Sequence, residues 1–278
     1  MMDENSRTLI VTPTLGESPH LGQAVERVAV LSIPTLHVLS APAGRVRKLQ
    51  ALFPWTRVVA DHGRAGGLYG ALNAALEAAG GGWGWFTYIN DDDLLLPGFC
   101  ELARRHMGMR NPERVAYGDV EVVSGDGRVI SRVTTEKSPA WIPALLQQGI
   151  SPLMQQGTLF HRETVTRLGR FDTRYRLCAD LDFWLRALAR GDHFRHYPLT
   201  VARFRLRPGQ LSSDTARTVR EQEDIVGRLL PARIPAPLRL LARMRYRICN
   251  LPRYLERMRS RGLRTSYELL ASGAAPRK

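Results

Sequence analysis

The sequence predicts an α/β protein, a sheet with parallel strands and helices on both faces. Three observations predict it. Strand-length apolar runs alternate with helical patterns four times before residue 90. The fourth run, Trp85-Phe-Thr-Tyr-Ile89, is aromatic and β-branched, as strands prefer. It leads directly into Asn90-Asp91-Asp92-Asp93, which puts carboxylates at a strand end, where open α/β sheets bind ligands.

The elements follow in order. Leu9–Pro13 is an apolar run ending in turn chemistry, a first strand. Apolar residues from Leu21 to Leu31 recur at helical spacing. Leu36–Leu39 and Arg57–Ala60 read as the second and third strands, with a helix near Arg45–Phe53 between them. Gly67–Ala79 is helical by its Ala and Leu content and is closed by Gly80-Gly81-Gly82. After the acidic loop the alternation stops. Val115–Tyr117, Asp119–Val123 and Val129–Thr134 read as strands, the last two joined by a Ser124-Gly125-Asp126-Gly127 turn. Trp141–Gln148 reads as a helix, Met154–Phe160 as a strand and Arg162–Leu168 as a short helix. Ala179–Arg190 is an amphipathic helix, and His193–Phe204 returns as one or two strands. From Asp214 on, helices are broken at Pro231, Pro235, Pro237 and Pro252.

Composition narrows the class. The 278 residues are 44% hydrophobic and 24% charged, which excludes a disordered or fibrous chain. Cys100, Cys178 and Cys249 are too few and too scattered for a disulfide scaffold or a cysteine zinc site. The opening MMDENSRTLIV begins acidic and has no long apolar stretch, so no signal peptide is expected. The expectation is a cytoplasmic protein, either soluble or peripheral on the inner face of the membrane. Of the net charge of +14, +11 lies between Arg228 and Lys278. The charge therefore belongs to a tail, and the chain divides into a main domain over residues 1–213 and a basic helical extension over 214–278.

Two acidic segments carry the chemistry. Asp91, Asp92 and Asp93 repel one another, and a hard divalent cation, Mn²⁺ or Mg²⁺, would offset that repulsion and bridge to a diphosphate. A solvated surface loop is the competing reading. The second segment is Ala179-Asp180-Leu181-Asp182-Phe183-Trp184-Leu185-Arg186. Asp180 stands at a helix start, where free N–H groups favour a carboxylate. Asp182 stands four residues before Arg186, the spacing of a helical ion pair. There is no Walker-type loop, no G-x-G-x-x-G after the first strand, no G-x-S-x-G and no H-E-x-x-H.

Over roughly residues 8 to 215 the chain resembles the family-2 glycosyltransferases of the GT-A fold, bacterial enzymes of surface-glycan synthesis. Ile10-Val-Thr-Pro-Thr14 resembles the family's first strand and nucleotide-contacting turn. Gly67-Leu-Tyr-Gly-Ala-Leu-Asn73 is similar to its G-I-Y-D-A-x-N segment, and Tyr88–Gly98 to its acidic metal motif. Gln156-Gly-Thr-Leu-Phe-His-Arg162 resembles Q-x-x-x-F-x-R, and Gly169-Arg-Phe-Asp172 with Asp180–Arg186 resembles G-x-F-D followed by D-x-D-x-W-L-R. The chain departs from the pattern at Gly70, which stands for an Asp, and at Gln155, which stands where His is frequent.

The resemblance implies a GT-A mixed sheet flanked by helices, with a nucleotide-sugar half over about 1–98 and an acceptor half over about 99–213. It implies an inverting transfer of a sugar from a nucleotide-diphosphate donor to a hydroxyl of a glycan or lipid-linked acceptor. Asp93, supported by Asp92, would hold the cation. Thr12, Pro13, Thr14, Asp61, Asn73, Asp91 and Asp92 would contact the nucleotide sugar. Asp180 would be the base and Asp182 a second catalytic candidate. Gln156, Trp184 and Arg186 would lie on the acceptor side. A nucleotidyltransferase stays open, although such enzymes usually begin with a Gly- and Arg-rich loop, unlike Thr-Pro-Thr-Leu-Gly16. An inactive nucleotide-sugar- or glycan-binding relative also stays open, as does a homo-oligomer.

No nucleic-acid partner is expected, because the tail holds only Tyr246, Tyr254 and Tyr267 among its arginines. Its apolar residues Leu238, Leu241, Met244, Tyr246, Ile248, Leu251, Leu255 and Met258 recur at roughly helical spacing. The pattern suits either an anionic membrane surface or packing on protein.

Overall fold

The computed structural model describes residues 7–258 except 111, 134, 208, 209, 253, 256 and 257. The far end of the basic tail, 259–278, lies outside the described residues.

The first half alternates as expected: β1 (Thr8–Pro13), α1 (Leu21–Ala29), β2 (Thr35–Pro42), α2 (Ala43–Leu52), β3 (Arg57–Asp61), α3 (Gly63–Ala79) and β4 (Trp85–Tyr88). Strands β3, β2, β1 and β4 lie side by side and all run parallel. Every residue of β1 is buried, which is why Thr8-Leu-Ile-Val-Thr-Pro13 shows no polar alternation. Because β1 lies between β2 and β4, the chain leaves its carboxyl end to one side and returns on the other. That divergence opens a crevice between the β1 and β4 loops.

The second half makes the sheet mixed. It contains β5 (Leu94–Leu95), α4 (Pro97–Met107), β6 (Val115–Val123), β7 (Val129–Val133), α5 (Ile142–Leu146), β8 (Leu159–His161), α6 (Arg162–Leu168), α7 (Ala179–Ala189) and β9 (Phe194–Arg205). Beyond β4 the order continues β8-β6-β9-β5, with β7 on β6. Strand β8 is antiparallel to both β4 and β6, while β6 and β9 are parallel.

Three sequence expectations change. The two strands expected over 115–123 are one, bulged between Tyr117 and Val120. Helix α4 was not expected; Pro97 opens it, and it buries Phe99, Cys100, Leu102, Ala103 and His106. Gly98 lets it lie on β9, since a Cβ there would sit 2.2 Å from the Thr200 carbonyl oxygen. The strand expected over Met154–Phe160 shrinks to Leu159–His161. The residues before it turn inward because the Gln155 and Gln156 amides bond to Tyr88 O and Asp93 instead of to a neighbouring strand.

Helices α8 (Thr215–Leu229) and α9 (Ala236–Cys249) follow. The boundary expected at residue 214 separates pieces that pack together. Ile225 of α8 is fully buried in the main core beside α7 residues such as Leu181 and Trp184. Helix α9 packs on α5 through Ala242. All three cysteines are free. Among the described residues no helix is long and apolar enough to cross a membrane.

Candidate active site

A cavity of about 1000 Å³ opens at the carboxyl ends of β1 and β4. Its wall includes Pro13, Thr14, Asp61, Tyr69, Tyr88, Asp91, Asp92, Gln156, Asp180, Trp184 and Arg207. The two acidic segments, far apart in sequence, therefore face one space.

The acidic loop is held from several sides. The Thr14 hydroxyl donates to Asp91 Oδ2, joining the β1 and β4 loops across the crevice. Ser18 Oγ donates to the Asp91 carbonyl at 3.2 Å. Arg205, 4% exposed, donates from Nε to the Asp92 carbonyl at 3.0 Å and from a terminal nitrogen to the Gly125 carbonyl at 2.8 Å. Asp92 Oδ2 accepts from Arg207 Nε. Burial raises the Asp91 carboxyl above its usual range, against the bond from Thr14, and the Asp92 charge raises it further.

Asp93, unlike Asp91 and Asp92, does not line the cavity. It is 1% exposed and accepts from the Arg205 backbone N–H at 2.8 Å and from the Asn90 and Gln156 amides at 3.0 Å each. Burial pushes its carboxyl up to about 7. Asp93, the expected metal position, is tied internally in this structure, and the acidic-loop carboxylates that line the cavity are Asp91 and Asp92. Gln156 spans the two settings. It lines the cavity at 5% exposure, and its Oε1 has no partner among the described residues.

Asp180 lies in the first turn of α7, on the cavity wall. Its Oδ1 accepts from the Leu181 N–H at 2.9 Å and lies 3.1 Å from the Tyr69 hydroxyl. Burial raises its carboxyl to about 6, against those two bonds. The preceding turn is fixed by Glu221 of α8, which accepts from the backbone N–H groups of Arg176, Leu177 and Cys178 at 3.0, 2.9 and 3.0 Å. These N–H groups belong to the turn ahead of α7, and the carboxylate gives them an acceptor.

Four expected site residues lie elsewhere. Asp182 is fully buried between Arg186 and Arg228, tying α7 to α8. Arg186 also donates to the Leu168 and Arg170 carbonyls. Thr12 is fully buried against His37 Nε2 at 3.0 Å, behind the cavity wall. Asn73 bonds both the carbonyl and the N–H of Phe171 at 2.9 Å, clamping the turn ahead of α7. Asp61 lines the cavity and accepts from Ser40 Oγ at 3.0 Å. The sequence reading missed Tyr69, Arg207 and the α8 residues on the wall. Arg207 follows a strand in a segment without a motif, and α8 was assigned to the extension.

A model described as glycosyl transferase family group 2 matches residues 85–228, more than half of the chain. The chain belongs to that family. This glycosyltransferase also resembles solved structures. TarS from S. aureus in complex with UDP-GlcNAc matches with a TM-score of 0.60 at 13% identity, over 88% of this chain and 73% of that one. A mannosyltransferase from Pyrobaculum calidifontis in complex with GDP-Man and Mn²⁺ matches with a TM-score of 0.57 at 16% identity, over 98% and 76%. A further TarS structure matches with a TM-score of 0.59 at 12% identity over 92% of this chain, which spans 44% of that one. These likenesses agree with the GT-A fold, a mixed sheet flanked by helices. No curated protein matches the glycosyltransferase sequence.

Proposed function

We propose that the protein is a cation-assisted, inverting glycosyltransferase that moves a sugar from a nucleotide-diphosphate sugar to a hydroxyl of a glycan or lipid-linked acceptor. We place it in cytoplasmic synthesis of cell-surface polysaccharide or lipopolysaccharide. One observation carries the reading: Asp180, with its carboxyl raised to about 6, opens into the same cavity as the Asp91–Asp92 pair.

The donor set suits Mg²⁺ or Mn²⁺. Asp91 and Asp92 offer hard oxygen ligands, and the raised Asp91 carboxyl marks burial and repulsion that a cation would relieve. Among the described residues no three His, Cys, Asp or Glu side chains converge as a metal cage. Two carboxylates leave coordination positions for diphosphate oxygens and water, the usual Mg²⁺ arrangement. When bound, the cation neutralises charge developing on the leaving diphosphate.

The residues of the chain do the rest. Pro13, Thr14 and Asp61 border the nucleotide end of the cavity, and Arg207 adds a positive charge beside Asp92. Asp180 accepts the proton of the acceptor hydroxyl as that oxygen bonds to the anomeric carbon and the bond from that carbon to the diphosphate breaks. Tyr69 and Leu181 hold the carboxylate in place, and Trp184 offers an apolar wall to a sugar ring. On this reading Asp93, Asp182, Asn73 and Arg186 position other groups and do not touch substrate.

The test is release of nucleoside diphosphate from a panel of nucleotide sugars by purified protein with Mn²⁺ or Mg²⁺. One donor should turn over, and excess chelator should stop it. Turnover of none would overturn the transferase reading. Undiminished turnover in chelator would overturn the cation's part.

A further inference from the structure

We infer that α9 and the helical residues after it form a docking face for an anionic lipid surface. The inference rests on exposure and charge outside the cavity and does not depend on the reaction proposed above.

Leu241, Met244, Ile248, Leu251, Leu255 and Met258 recur with alternating spacings of three and four. That spacing places them along one stripe of a helix. All six are between 46 and 67% exposed. Leu238 and Leu240, at 46 and 52%, widen the stripe at its start. The helix nearly continues past Cys249, since the Asn250 carbonyl accepts from the Tyr254 N–H at 3.1 Å. Isolated exposed leucines are ordinary, but eight large apolar side chains on consecutive turns mark an interaction surface.

The opposite face fixes α9 on the protein. Ala242 is fully buried against Ala144 and Leu145 of α5, with Tyr246 and Trp141 beside them. The Gln148 amide donates to the Arg239 carbonyl at 2.7 Å, and Arg245 pairs with buried Glu136. The stripe therefore points outward from a docked helix.

Charge selects the occupant. Residues 238–258, the span of the stripe, contain six arginines and a single acid, Glu256. Arg243 and Arg247 border the stripe on the exposed side and form no ion pair among the described residues. The same spacing fits a coiled coil. However, a second copy would set arginines beside arginines with only Glu256 in the segment to pair them. Anionic headgroups complement that rim, and the stripe would sit at the acyl boundary.

The experiment is co-sedimentation of the full chain with vesicles of phosphatidylglycerol and phosphatidylethanolamine, and with phosphatidylcholine vesicles. Binding is expected to the anionic vesicles at low salt, to fall as salt is raised, and to be weak on the neutral ones. Leu241→Glu with Ile248→Glu should abolish it. Arg243→Gln with Arg247→Gln should lower partitioning roughly 25-fold, at about fivefold per arginine near an anionic surface. All four side chains are at least partly exposed, so thermal melting should not change. Absence of binding to anionic vesicles at low salt would overturn the inference, as would binding that both double variants retain. Sedimentation velocity covers the other occupant: a stripe-dependent dimer that ignores vesicles would assign the face to a second copy.

Discussion

The Tyr69 hydroxyl lies 3.1 Å from a carboxylate oxygen of Asp180 and 2.9 Å from the Leu177 carbonyl, with one proton to serve both. Given to Asp180, that proton favours the ionised carboxylate, the form a base needs. Burial acts in the other direction and wins, holding Asp180 near 6. Activity should therefore rise with pH through about 6 and level off above it. Asp180→Asn should lower kcat by at least roughly 10²-fold, within the range for a general base. Tyr69→Phe removes a bond to the charged form, so the rising limb should move to higher pH. A pH profile of kcat/KM for the two proteins checks the direction, and an unmoved limb would rule out Tyr69 as a partner of the base.

On the proposed reading, the acidic loop separates cation binding from stability. Asp92→Ala should remove the response to added Mn²⁺ or Mg²⁺ and leave the melting temperature close to that of the parent. Asp93→Ala strands three donors, the Arg205 N–H and the Asn90 and Gln156 amides. Each buried unsatisfied group costs about 1–3 kcal/mol. A kilocalorie shifts the melting point of a chain this size by roughly 2–4 °C. A loss of several degrees is expected for Asp93→Ala. Thermal melts of both variants, paired with metal titration of activity, test the assignment.

The first half of the fold was legible because each strand is bounded by turn residues and each helix repeats every three to four residues. The placement of the acidic loop on the cavity was legible too, since a parallel strand ending in carboxylates puts them at the carboxyl edge of the sheet. Which carboxylates line the cavity was not legible. Asp91, Asp92 and Asp93 are identical in type, and the choice among them depends on Arg205 and Gln156, which arrive from distant strands and loops. Asp182 carried a visible signal in its spacing to Arg186, but its second partner, Arg228, lies 46 residues away on a helix assigned to the tail. Helix α4 was hidden by its Pro97-Gly98 start, where glycine serves the close approach to Thr200 and not a turn.

Asp182 should behave as a structural ion-pair partner. It is fully buried between two guanidinium groups, so removing it leaves Arg186 and Arg228 without their counter-charge. Breaking one side of a buried pair costs about 3–5 kcal/mol. Asp182→Asn should lower the melting point markedly while the protein that stays folded keeps most of its kcat. If this variant melts like the parent and loses turnover instead, Asp182 rather than Asp180 is the base.

Glu221 offers the opposite perturbation to Tyr69. Its carboxylate accepts from the N–H groups of Arg176, Leu177 and Cys178, immediately before Asp180. Its negative charge contributes to the raised Asp180 carboxyl. Glu221→Gln keeps an oxygen that can accept some of those bonds but removes the charge. The Asp180 carboxylate then has one fewer anion beside it and ionises more readily. The rising limb of the kcat/KM profile should move to lower pH, against the direction expected for Tyr69→Phe. Glu221→Ala should shift the limb the same way and also lower the melting point, because three N–H groups in the turn ahead of α7 lose their acceptor. Movement of the limb upward in either Glu221 variant would show that α8 acts on Asp180 through its geometry and not through charge.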